Sequence, residues 1–372
     1  MEAWTSTATD IAGRIQEVRT ACKSWLALSP FFATRGYHLY NFTSLHQGAV
    51  PPAHPQHTPT GANTGNPYPY ARTIAGEDSH LAFPFVMALR VWPARDSHGR
   101  EVILRLVSGP GDSTEIEVYK RLNTPDARQD RRNHSLPILE WLTHAGLIFV
   151  VMPRWDIIAL ARPMIFFRKV SEMLDVAETL FEGLEFLHEN RIAHRDIHEQ
   201  NVVMNALVDI DAYYWDLREQ GKVRYAYIDY NLSLALSRDV DIRTVSVSRI
   251  KTIQHRSMGL DDGPCNPFTD DVRSLAHILE RSIRHVEDVV PEIGTYFEKL
   301  VRGGDKSMPP ASEALADLRG LRSRLSRTQL DHAPTGQFWY PDRITLLRDC
   351  EERWTALTRF KESDASWPAL SV

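Results

Sequence analysis

Lysine is missing from a long part of this chain: none occurs between Lys23 and Lys120, where the strongly basic residues are all arginine. Chemistry there that needs a compact ammonium must do without one. Cysteine is scarce as well. Cys22, Cys265 and Cys350 are an odd number without metal-ligand spacing, which speaks against a disulfide framework and a zinc site and suits a reducing compartment. No apolar run is long enough to cross a bilayer, and GLIFVVMP, from Gly146, has the length of a buried strand. The amino terminus, MEAWTSTATDIAGRIQEV, lacks the charged-then-apolar order of a secretory signal, so a cytosolic or nuclear protein is expected. A net charge of -5 offers no general attraction to nucleic acid.

What remains is ordinary globular usage, with 372 residues, 43% hydrophobic and 24% charged. That length suits one large domain of two lobes or two ordinary domains. Ile11, Ile15, Val18, Cys22, Trp25 and Leu26 recur at helical spacing, so an amphipathic helix is expected over residues 8–28. Residues 47–70 are rich in Pro, Gly, Thr and His and read as a loop or linker whose histidines are solvated. FVMALRVW and REVILRLV read as a hairpin around PARDSHGR, and ILEWLTHAGLIFVVMP as two further strands. Between them, Ile116, Tyr119 and Leu122 mark one helix, giving a small sheet with one helix. From Val170 to Leu187 a long apolar stripe predicts a buried helix, and further helices are expected at TDDVRSLAHILERSI, VPEIGTYFEKLV, SEALADLRGLRSRL and ITLLRDCEERWTALTRF. No internal repeat is found.

The long helix leads into RIAHRDIHEQNVVMN, which sets Asp196 and Asn201 five residues apart. Asp196 could accept a hydroxyl proton, while Asn201 and a downstream carboxylate could hold a metal over phosphate oxygens. Asp229 is the candidate carboxylate, at the end of the short strand VRYAYIDY.

The ordered set His194-Arg195-Asp196, Asn201, Asp229 and Asp271, behind a small sheet with one helix, resembles the eukaryotic protein-kinase family over roughly residues 73–328. ARDSHGREV, FVVMPRW and FLHENRIAH look most like kinase-like proteins of higher fungi. The resemblance implies an α+β, bilobal fold. Residues 1–72 would be a helical extension and linker, 73–155 an N-lobe with its antiparallel sheet and hinge, 156–328 a mainly helical C-lobe and 329–372 a helical tail. It implies ATP and Mg²⁺ as cofactors, with a protein substrate or protein partner of unknown identity, and neither nucleic acid nor membrane. Asp196 then resembles the catalytic-loop base, and Arg195 the cation that meets a phosphorylated activation segment. His198 stands where serine/threonine kinases carry a lysine. Asn201 and Asp229 are similar to the metal-holding pair, and Glu115 to the helix glutamate that pairs with a lysine, whose slot Arg105 occupies. Ile103 would face the adenine, Val151 would be the gatekeeper, and Met152 and Arg154 belong to the hinge. Asp271 is similar to the aspartate that supports the catalytic-loop backbone.

Several positions depart from the family's pattern. Arginine replaces the phosphate-positioning lysine, SHLAFPFVMALRV has no glycine to bring backbone N–H groups close to phosphates, and Ile103 is large for its place. Asn231 replaces a glycine, no A-P-E follows Asp229, and Met308 takes an arginine's position, so both halves of a structural ion pair are absent together. The insertion ALVDIDAYYWDLREQGK lengthens a turn after Asn205. Three functions fit: a serine/threonine-type kinase with impaired phosphate positioning, a pseudokinase acting as an interaction module, and a small-molecule phosphotransferase. An exposed helix charge is the competing reading of Glu115.

Overall fold

The computed structural model describes residues 4, 10–44, 48–53, 68–74, 78–83, 89–108, 113–156, 167–208, 218, 221–250, 252–334, 336–341 and 343–346. The chain is α+β. Its first part runs α1 (Ile11–Thr34), β1 (Tyr37–Leu39), β2 (Arg72–Ile74), β3 (Val91–Asp96), β4 (Glu101–Ser108), α2 (Thr114–Leu122), β5 (Glu140–His144) and β6 (Leu147–Pro153). Five of the strands form one antiparallel sheet in the order β1-β3-β4-β6-β5. The turn between β3 and β4 is fastened by Asp96, whose carboxylate accepts the N–H groups of His98 and Arg100, each at 2.9 Å. Gly99 there has a φ of +76°, which explains why the turn carries a glycine.

Side chains alternate across β4, and both faces are covered. Val102, Leu104 and Leu106 pack on one side with Trp92, Phe149 and Val151. That side is closed by α1, whose Trp25 is fully buried with ring centroids 6.1 Å from Trp92, 5.7 Å from Phe149 and 5.9 Å from Phe32. Its indole donates to the Leu89 carbonyl at 3.0 Å. The sheet therefore carries a second helix where one was expected. Residues 1–72, read above as an extension, also supply the edge strand β1.

The second part contains α3 (Val170–Glu189), β7 (Val202–Met204), β8 (Ala206–Val208), β9 (Tyr225–Tyr227), α4 (Pro267–Ile283), α5 (Pro291–Arg302) and α6 (Ala311–Arg324). The predicted stripe of α3 is buried from Val170 to Leu187, against α4, α6 and β9. α4 begins where it does because Asn266 accepts from the N–H of Phe268 at 2.9 Å and Pro267 sets the first helical φ. The insertion opens with β8, which pairs parallel with β2, and so the extension is stitched to the helical part too.

Of the helix expected from Ile344 only the first three residues are described; they belong to a hairpin of β10 (Gly336–Tyr340) and β11 (Arg343–Leu346), and residues 347–372 lie outside the described set. Three consecutive aromatics decide this. Phe338 and Tyr340, two apart on the strand, lie 5.6 Å and 5.7 Å from the Arg281 guanidinium, and the Trp339 ring between them lies 4.2 Å from that of Arg284. Among the described residues no helix is long and apolar enough to cross a membrane. Cys22 and Cys265 are free and buried; Cys350 lies outside the described residues.

His285, just after α4, is buried with no hydrogen-bond partner at either ring nitrogen among the described residues. Burial pulls its pKa from 6.5 down to about 4, against a weaker upward pull from Asp288. The unfolded chain therefore binds more protons between those two values, and stability falls as pH drops through that window, by about 2 kcal/mol at pH 5. His285→Leu is expected to remove this slope. Urea unfolding of both proteins at pH 7 and pH 5 reads it out, and equal acid losses would show that the ring is not the group responsible.

Candidate active site

The loop after α3 is built on one carboxylate. Asp271 of α4, 1% exposed, accepts the backbone N–H groups of His194 and Arg195, both at 2.7 Å, and lies 3.3 Å from His188 Nε2. Arg195 takes a φ of +68°, strain that two charge-assisted bonds can hold. His194 is fully buried. Its Nδ1 accepts from the Asp196 N–H at 3.3 Å, and its Nε2 lies 3.0 Å from the Ile228 carbonyl, so a single tautomer ties this loop to the segment after β9.

Asp196 is thereby turned toward two side chains. Asn201 donates its amide to the Asp196 carbonyl at 2.8 Å and to its Oδ2 at 3.2 Å. His198 Nε2 stands 3.7 Å from the same Oδ2, while His198 Nδ1 accepts from Gln200 N–H. Burial works against a charge on His198, but Asp196, Glu199 and Asp229 outweigh it and raise its pKa above the usual histidine value. Arg195 points elsewhere, donating to the Ser248 carbonyl at 3.1 Å.

Facing this loop is a charge triad, buried at Arg105 and Glu115 and 30% exposed at Asp229. Arg105, on β4, donates through Nε to Glu115 Oε1 at 2.6 Å and through Nη2 to Asp229 Oδ1 at 2.5 Å. Glu115, in the first turn of α2, is 2% exposed, which excludes the exposed-charge reading. Its Oε2 has no hydrogen-bond partner among the described residues. Asp229 follows β9 in the left-handed region, with a φ of +65°. One guanidinium thus serves two carboxylates. Burial lifts the pKa of Glu115, with Arg105 opposing, whereas for Asp229 the pull of Arg105, with His194 and the Asn231 N–H, outweighs burial and holds it low. Arg105 stays charged throughout: burial is overcome by Asp229 and Glu115.

The residues expected around an adenine divide. Ile103 and Met152 are cross-strand partners on the face of β4 that also carries Arg105, and both join the core on that side. Val151 lies apart from them. It pairs with Leu104 and packs among Trp25 and Phe149 on the opposite face, because side chains alternate along β6. The residue opposite Arg105 is Val150, which counting from Arg105 would have found only with the strand register in hand. Arg154 lies apart as well. It is buried and donates to the Tyr40 hydroxyl at 2.8 Å and the Leu81 carbonyl at 2.7 Å, so it fastens the amino-terminal segment. Arg90, unremarked in the sequence, lies near enough to Glu115 to favour its charged form.

The absent ion pair of the sequence reading has a replacement. Arg249 bonds Asp270 at 2.8 Å, Arg273 bonds Asp305 at 2.7 Å, and Met308 is simply buried. For Mg²⁺ the donor set is less favourable. Asn201 and Asp229 offer the hard oxygens the ion prefers. Yet Asp229 is already bonded to a guanidinium, Asn201 is committed through its nitrogen to Asp196, and among the described residues no three His, Cys, Asp or Glu side chains gather around a common point. As arranged, these residues do not fit the ion.

No family model matches the chain. It is similar to the inhibitor of nuclear factor kappa-B kinase subunit alpha of Gallus gallus, 24% identical over 153 residues, which is 41% of this chain and 18% of that protein. The Danio rerio protein of the same name is 27% identical over 111 residues, or 30% of this chain and 12% of its own length, and that of Xenopus laevis 24% identical over 153 residues. The chain thus matches less than a fifth of these relatives' length. Over that partial span it carries a kinase-like relation.

Proposed function

We propose that this chain is an ATP-binding, protein-kinase-like phosphotransferase of the serine/threonine type with impaired phosphate positioning. Residues 73–155 and 156–328 would be its two lobes, meeting at Arg105 and Asp229. The observation that carries the reading is the way Asp271, Asn201 and His198 hold Asp196. A protein hydroxyl would attack the γ-phosphorus, its proton passing to Asp196, while the bond from that phosphorus to the β–γ bridging oxygen breaks and ADP leaves. Arg105, on the site face of β4, would lend charge to the phosphates.

An interaction module without transfer is the second reading, favoured by the Arg105–Asp229 bond, which engages a carboxylate that transfer chemistry uses. Calorimetric titration with ATP, followed by transfer to a generic hydroxyl acceptor, separates the two. Saturable binding and a transfer rate that falls at least about 100-fold in Asp196→Asn support the enzyme. Binding without transfer leaves the module, and no binding at millimolar ATP overturns the nucleotide site itself.

A further inference from the structure

We propose that the nucleotide enters this site as the free polyphosphate, without a divalent cation, because Arg105 already supplies the positive charge that Asp229 would otherwise take from an ion. The inference rests on the nucleotide-binding reading above. It concerns what accompanies the ligand.

A carboxylate beside a triphosphate is an electrostatic liability, since two anions approach each other in a partly dry site. An ion between them is one remedy. Here the remedy is covalently attached to β4. The Asp229 carboxylate is met by Nη2 of Arg105 at 2.5 Å, and the arginine side chain is only 7% exposed. An ion that took Asp229 Oδ1 would break this bond and leave the buried guanidinium with Glu115 alone, and one that took Oδ2 would sit beside the Arg105 cation. Glu115 Oε2, without a hydrogen-bond partner among the described residues, is the acceptor to which a released Nη2 would turn.

The remaining oxygen donors do not restore a site for the ion. Asp196 Oδ2 takes the Asn201 amide and faces His198, whose pKa is raised, and the Asn201 nitrogen spans two oxygens of Asp196. That leaves a neutral carbonyl as the free ligand of Asn201. Lysine could not replace Arg105 in this arrangement. Two carboxylates on different elements are bridged by two separate nitrogens of one planar group, and a single ammonium offers one position.

Titration of the full chain with ATP and with ADP, once in EDTA and once in excess Mg²⁺, tests this. The dissociation constant is expected to agree within about threefold between the two conditions, or to weaken with Mg²⁺ as the ion withdraws free nucleotide. Binding tighter by about tenfold or more with Mg²⁺ overturns the proposal while leaving the nucleotide site standing. No binding in either condition removes the nucleotide reading and this one with it. Arg105→Lys supplies the converse: a folded variant should free Asp229 and become Mg²⁺-dependent by about tenfold, and cation-independent binding in it would deny Arg105 the role.

Discussion

Asp271→Ala destabilises the chain by about 4 kcal/mol and stops any transfer, the largest effect expected of a single side chain here. The carboxylate accepts two buried backbone N–H groups, and truncation leaves both without acceptors, each costing about 1–3 kcal/mol. The strained φ of Arg195 loses its restraint at the same time. Asp271→Asn keeps one acceptor oxygen and should lose about half as much. Urea unfolding at neutral pH reads the first effect, and a loss below about 1 kcal/mol would mean that the loop is held by other contacts. In the proposed transfer Asp271 touches no reacting atom, so its part would be one of positioning. The Asn variant should accordingly recover more transfer than the Ala variant once each is shown to be folded.

Trp25→Ala costs nearly as much, about 3–5 kcal/mol, although the residue lies outside the part of the chain that carries the kinase-like motifs. The indole is fully buried among Phe32, Trp92 and Phe149 and loses a hydrogen bond to Leu89 when removed. No small rearrangement refills that volume, since Trp92 and Phe149 are held in the sheet and Phe32 in α1 itself. Thermal unfolding should shift downward as one cooperative transition. A separate early transition, with the main one unmoved, would instead make α1 an appendage.

Much of this architecture is written locally. The stripe of α3 and strand β4 need only neighbours within a few residues and lie where the periodicity puts them, whereas β3, expected at FVMALRVW, spans Val91–Asp96 and takes in the Pro-Ala-Arg-Asp of the expected turn. A second cover for β4 was also there to be read: VILRLV is apolar on both faces apart from Arg105, the pattern of a strand covered twice. What the sequence withholds is register and distance. The face of Val151 depends on which residue of β4 it opposes, and the bond from Arg105 to Asp229 joins positions 124 residues apart. For Glu115 an exposed charge competes with the paired reading because the first helical turn welcomes acidic residues anyway. The tail is a related case: its charged, leucine-bearing run suggests a helix of which only residues 344–346 are described, and these pair with β10, whose aromatics meet Arg281 on α4 and Arg284 just past its end.

The parallel pairing of β2 with β8 sets an order of events during synthesis. Residues 72–74 are made early, yet their partner, Ala206–Val208, emerges only after the whole sheet and α3. α1 and β1 can dock as soon as β6 is complete, since everything they touch in the sheet has by then left the ribosome. The segment around β2 has to wait, with Ala71 and Leu81 uncovered, until the chain has been made as far as β8. A chain released before that point would present an unpaired strand edge beside apolar surface, the combination that chaperones and proteases act upon.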